Sequence, residues 1–218
     1  MNDQTESGQQ PDREPTDEEF HAIYGPVEPP SPSEAGELFS GASFRWWIVG
    51  GWSTELESTP RRTHEDLELS VARRDLDALR EWLGDYHFWD VHDGTLTFLK
   101  PGMGMPDEHH EQVWVRRNAF SPWILDVLLT PVEADMWLFK RDRRLSLPMS
   151  ELVVTRDGVP YQRPEIALLF KARRRANRDE DDFAAVLPTL SGAERAWLRD
   201  ALAMTEPADN PWLERLAA

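Results

Sequence analysis

Residues 61–71 read RRTHEDLELSV, and the reading of this stretch decides how the rest of the chain is assembled. On a β-strand, side chains alternate between faces, so Leu67, Leu69 and Val71 point one way while Asp66 and Glu68 point the other. Two carboxylates side by side repel unless one is protonated or a cation lies between them. Taken alone, such a pair is a solvated strand face. Two flanking segments weigh against that.

Upstream, FRWWIVGG (44–51) is an apolar run closed by a glycine pair, the pattern of a buried strand ending in a tight turn. Gly50 and Gly51 allow backbone N–H groups to turn towards an anion and a phosphate to come close. A helical turn or two is expected in WSTELES (52–58). Downstream, WILDVLLT (123–130) is the most apolar strand of the chain, with one acid, Asp126, at its centre. A buried carboxylate is costly, so Asp126 needs a strong partner or an opening. Arg45, Arg116 and Arg117 are candidate partners. A plain turn and a structural aspartate remain the simpler readings of each segment by itself.

Working outward, ARRDLDALREWLGD (72–85) has apolar residues at helical spacing between Asp75 and Gly84. HFWDVHDGTLTFLKP (87–101) reads as a hairpin through Asp93-Gly94, EQVWVRRN (111–118) as a strand, and Asp157-Gly158 as a second hairpin turn. Helices follow from Pro164, Asp179 and Ser191, the last with a capping box completed by Glu194. The fold class is α+β: a mixed β-sheet flanked by helices over 38–160, with a helical C-terminal part over 161–218 packed on it. Residues 1 to about 37 are rich in Pro, Glu, Asp, Gln and Ser and read as a disordered tail, in which Phe20, Ile23 and Tyr24 mark a short docking helix. Trp46, Trp47, Trp82 and Trp137 fit the core, whereas Trp114 and Trp123 suit the wall of a pocket for an organic molecule.

Composition narrows the chemistry. A net charge of −16 opposes a polyanionic partner such as nucleic acid and is compatible with a cationic small molecule. Cysteine is absent, so neither disulfides nor thiolate metal sites contribute, as suits a cytoplasmic protein. No apolar run is long enough to span a bilayer, so no membrane association is expected. His109-His110-Glu111 near Asp107 has spacing that matches no zinc pattern. The sequence says nothing of oligomeric state.

The order apolar-Gly-Gly, then Asp-apolar-Glu-apolar, then a third acid between apolar residues resembles the nucleotidyltransferase superfamily, with its DNA polymerase beta-like minimal domain. Val49-Gly50-Gly51, Asp66-Leu67-Glu68-Leu69 and Leu125-Asp126-Val127 fill those places. The fuller string GGW … RRTHEDLELSV … RRDLDALREWL, with PEIALLFKARRRANRDEDDFAAVLP (164–188), is similar to aminoglycoside and lincosamide nucleotidyltransferase-like proteins. The resemblance spans roughly Arg45 to Leu202. Glu68 stands where better-characterised members have Asp, and the interval from Gly51 to Asp66 is slightly long. The resemblance implies Mg²⁺-dependent transfer of a nucleoside monophosphate from a nucleoside triphosphate, expected to be ATP, to a hydroxyl of a small acceptor such as an aminoglycoside-like antibiotic. It implies Asp66, Glu68 and Asp126 as metal ligands, Asp126 also as the base, and Gly50, Gly51, Arg62, His64 and Lys171 around the triphosphate. Two other readings stay open. One is an inactive protein of this fold that binds nucleotide or a partner. The other is a two-metal phosphohydrolase, which explains the acids but not the preceding Gly-Gly turn. Lys171, beside Arg173, Arg174 and Arg175, also reads as part of a solvated basic helix face, and His64 as an ordinary residue leading into a strand.

Overall fold

A computed structural model describes residues 16–55 and 62–217. The strands are β1 (Trp46–Ile48), β2 (Glu68–Ala72), β3 (His87–His92), β4 (Thr95–Leu99), β5 (Gln112–Arg116), β6 (Trp123–Thr130), β7 (Val132–Glu133), β8 (Met136–Leu138), β9 (Ser146–Pro148), β10 (Val153–Arg156) and β11 (Val159–Gln162). The helices are α1 (Asp17–Tyr24), α2 (Pro32–Leu38), α3 (Leu76–Leu83), α4 (Met149–Leu152), α5 (Pro164–Lys171), α6 (Asn177–Val186), α7 (Gly192–Thr205) and α8 (Pro211–Ala217). Eight strands form one mixed sheet in the order β10-β11-β1-β2-β6-β5-β3-β4, and β7-β8-β9 form a small second sheet. β1 runs parallel to β11 and β2 parallel to β6, while the remaining neighbours are antiparallel.

Alternation along the strands explains why both faces of the sheet are covered. Leu67, Leu69 and Val71, with Leu125, Val127 and Leu129, pack on Leu76, Leu79 and Leu83 of α3. On β1, Ile48 joins that cluster while Trp47 and Val49 enter a second one, built largely from α5 to α8 around Trp137, Phe183 and Trp212. Both Asp-Gly turns close hairpins, β3–β4 and β10–β11, with Asp93 and Asp157 at φ of 46° and 50° and the glycines at 71° and 81°. Positive φ at both central residues is what a tight two-residue hairpin turn requires.

Four expectations change. The tail expected through about residue 37 is folded from Thr16 onward: α1 and α2 are both closed by capping boxes, and Ala35 is fully buried. Residues 1–15 of that tail lie outside the described residues, as do Arg61 and the second half of WSTELES. The first half of WSTELES forms a single 3₁₀ turn, Trp52–Thr54. The helix expected from Asp179 is α6 and begins at Asn177, because the Asp179 carboxylate accepts the Ala176 N–H (3.0 Å) at the helix start. Trp82 is not core but 40% exposed, its indole N–H donated to the Leu38 carbonyl at 2.9 Å.

Candidate functional site

The site begins at the end of β1. Gly50 has φ of 66°, and a β-carbon there would overlap the Glu68 carboxylate. At Gly51 a β-carbon would run into the Arg62 guanidinium and the His64 ring. Close approach and backbone conformation both favour glycine at position 50, while at position 51 a β-carbon would displace the Arg62 side chain and press on the His64 ring. The Ser53 hydroxyl donates to the Ile48 carbonyl (2.9 Å) and the Thr54 hydroxyl to the Gly51 carbonyl (2.7 Å), which fixes the turn.

β2 and β6 supply the acids. Glu68 and Asp126 are direct partners in the parallel register, and the Asp126 N–H donates to the Leu67 carbonyl at 3.2 Å. Asp66 lies just ahead of β2 rather than within it, its carbonyl accepting the Trp52 indole N–H at 3.3 Å. Burial and then the charge of Asp66 push the Glu68 carboxyl up to about 7, with Lys171, Arg178 and Arg174 pulling the other way. Asp126 is raised well above the ordinary carboxylate range, first by burial and then by Glu68. Among the described residues, no three His, Asp or Glu side chains stand close enough to form a metal-binding group. Glu68 instead turns against Gly50, and Asp126 accepts two hydrogen bonds from the Gln112 amide, at 2.9 and 2.7 Å.

Gln112 is the partner that the sequence reading assigned to an arginine. The candidate arginines are engaged elsewhere: Arg45 with Asp135, Arg117 with the Tyr86 hydroxyl, and Arg116 over the Trp89 and Trp123 rings. In sequence Gln112 is one polar residue in a strand; the β5–β6 register sets Trp114 opposite Asp126 and Gln112 diagonally two positions along, from where its amide reaches the carboxylate.

A cavity of about 410 Å³ opens on this face, lined by Gly50, Gly51, Asp66, Glu68, Arg62, His64 and Lys171, with Arg174 contributed from the turn between α5 and α6 and Arg178 from α6. Asp126 does not line it; Asp126 and Asp66 line a separate space of about 60 Å³ with Trp114, Trp123 and Phe20. His64 is 3.0 Å from the buried Glu55 carboxylate and stacked on Trp52, rings 4.1 Å apart. Its partner is thus Glu55. Lys171 is not part of a solvated face. Its ammonium lies 3.3 Å from Asp179 and 3.0 Å from Asp182, both carboxylates buried. Of the histidine pair, His110 contacts Asp90 at 2.6 Å and stacks on His92.

Neither protein-family models nor curated proteins match the sequence. Among solved structures, the aminoglycoside nucleotidyltransferase ANT(2")-Ia in complex with adenylyl-2"-tobramycin is similar, at 13% identity and a TM-score of 0.51, covering 79% of this chain and 97% of that one. The Megavirus polyadenylate synthase aligns with 86% of this chain and 40% of its own, at 13% identity and a TM-score of 0.44. The first of these carries the assignment. Mixed sheet, Gly-Gly turn and paired carboxylate strands together make this a chain with the nucleotidyltransferase fold.

Proposed function

We propose that the protein transfers a nucleoside monophosphate from a nucleoside triphosphate, with ATP the expected donor, to a hydroxyl of a small molecule, in a divalent-metal-dependent reaction. The observation that carries this reading is the pairing of Glu68 with Asp126 on adjacent strands at the Gly50-Gly51 turn, with Glu68 and Asp66 lining a cavity edged by basic side chains. Burial first, and then the charge of a neighbouring carboxylate, raises the proton affinity of Glu68 and Asp126, so a cation beside them would be favourable, and an all-oxygen donor set suits Mg²⁺. Asp66, Glu68 and Asp126 would hold it once their side chains turn together from their positions in this structure, and when bound it would neutralise charge developing on the phosphoryl oxygens.

The chain's own groups account for the rest. Backbone N–H groups at Gly50 and Gly51 face the triphosphate, and Arg62, Arg174, Arg178 and Lys171 offset its charge. Attack by the acceptor oxygen forms a bond to the α-phosphorus as the bond to the bridging oxygen breaks. Pyrophosphate leaves with that electron pair, and Asp126 takes the hydroxyl proton while Gln112 fixes its carboxylate. The similarity to an aminoglycoside nucleotidyltransferase supports an aminoglycoside-like acceptor, and the acidic balance of the chain suits a cationic one.

Calorimetry with ATP, GTP, CTP and UTP, in Mg²⁺ and then in EDTA, tests the donor half. Metal-dependent binding that weakens sharply in Asp66→Asn is expected. Nucleotide binding with no pyrophosphate released to any aminoglycoside, lincosamide or sugar would favour an inactive nucleotide-binding protein, and no binding at all would remove the basis of the reading.

A further inference from the structure

The larger cavity is roomy, whereas the space beside Asp126 is small, and what narrows it is the chain's own N-terminal segment. The rings of Phe20 and Tyr24 on α1 each lie 5.7 Å from the Trp114 ring, directly above the strand pair that carries Asp126. Beyond the helix, the Trp123 N–H donates to the Pro26 carbonyl (2.9 Å), the Glu28 N–H to the Trp123 carbonyl (2.8 Å), and the Trp123 indole to the Tyr24 carbonyl (2.7 Å). Phe20 and Val27 thereby line the roughly 60 Å³ space together with Asp66 and Asp126. Such a volume holds a few water molecules and not a sugar ring.

We propose that α1, with the strap from Gly25 to Glu28, is a gate on the acceptor side of the site, which must swing away to make room for an acceptor ring beside Asp126. The inference rests on the reading of Asp126 as the acceptor-side base. Its construction suits a moving part. An eight-residue helix is unstable by itself and depends on its docking contacts. Gly25, at φ of 92°, supplies a conformation that other residues adopt poorly and so serves as the hinge. Ile23, on the outer side, is 67% exposed, so the helix is held from one face only. The nucleotide side needs no such motion, since neither α1 nor the strap lines the large cavity.

Two measurements test the gate without relying on turnover. The first is labelling with a water-soluble carbodiimide and glycinamide, followed by peptide mass spectrometry. Losing two aromatic pairs raises the open population by roughly ten-fold, so Asp126 labels about that much faster in F20A/Y24A, while the exposed Asp157 labels at an unchanged rate. Equal Asp126 rates in variant and native protein overturn the gate. The second uses native protein and so survives a variant that folds poorly. By hydrogen exchange, the amides of Glu28 and Trp123 should exchange at least about a hundred-fold faster than that of Leu129, which is bonded to the Glu111 carbonyl in the sheet. Identical exchange of all three would mean that the segment opens only with global unfolding, and the gate fails. ATP calorimetry separates this from the functional reading: the gate leaves ATP affinity unchanged in F20A/Y24A, whereas failure of the transferase reading appears as absent ATP binding in the native protein.

Discussion

Glu68 concentrates the chemistry of the site in one side chain. Its carboxyl is raised from 4.5 to about 7, chiefly by burial and secondarily by Asp66. The folded protein therefore binds the proton more tightly than the unfolded chain does. Stability from this group is full below about pH 4.5, falls as pH rises towards 7 and is flat beyond that. Metal-free protein is expected to melt lower at pH 8 than at pH 5, and Glu68→Gln should flatten that slope. Added Mg²⁺ should raise the melting temperature at pH 8 and do little at pH 5; a calorimetric scan at both values checks all three. Gly50 is the neighbouring constraint. Gly50→Ala puts a β-carbon onto the Glu68 carboxylate at positive φ, and is expected to cost about 1–3 kcal/mol and to impair ATP binding. In Asp126→Asn, kcat should fall by at least about a hundred-fold with ATP affinity changed far less, because Asp126 faces the acceptor space.

At the scale of elements, α5 and α6 make the basic wall of the cavity in two different ways. Lys171 is fastened between the buried Asp179 and Asp182, so it aligns the two helices as well as facing the cavity. Lys171→Met leaves two carboxylates buried without that cation and should destabilise by about 3–5 kcal/mol. Activity lost in that variant would say little about phosphate. Arg178 is exposed on the same rim. Arg178→Ala is expected to weaken ATP binding about ten-fold while moving stability by less than about 0.5 kcal/mol. Calorimetry paired with a thermal melt distinguishes the two side chains. The turn after β1 works with this wall, since Trp52 stacks on His64 and His64 reaches Glu55 beneath the Gly-Gly pair.

Across the whole molecule, two apolar clusters on opposite faces of one sheet hold the carboxylate strands in register. The C-terminal cluster closes on Trp212, fully buried and stacked 4.1 Å from Phe183. Trp212→Ala should cost about 3–5 kcal/mol and lower ATP affinity, because α6 carries Arg178 and Asp179 at the cavity edge; urea titration with and without ATP checks it. Among the described residues no helix is long and apolar enough to cross a membrane. The sequence alone determined the parts whose causes are local. Alternation set the inward faces of β2 and β6, Asp-Gly pairs set both hairpins, Ser191 and Glu194 set the start of α7, and the Gly-Gly turn could be placed before the paired acids. Only the tertiary structure decided which long-range partners meet. The β5–β6 pairing set Gln112 diagonally across from Asp126 in place of the expected arginine, the packing of α5 on α6 buried Lys171 between aspartates, and aromatic docking on Trp114 brought part of an apparently polar tail beside Asp126. Local pattern fixes which face a side chain occupies, but the identity of the group across from it depends on strand pairing and packing between residues as much as a hundred positions apart.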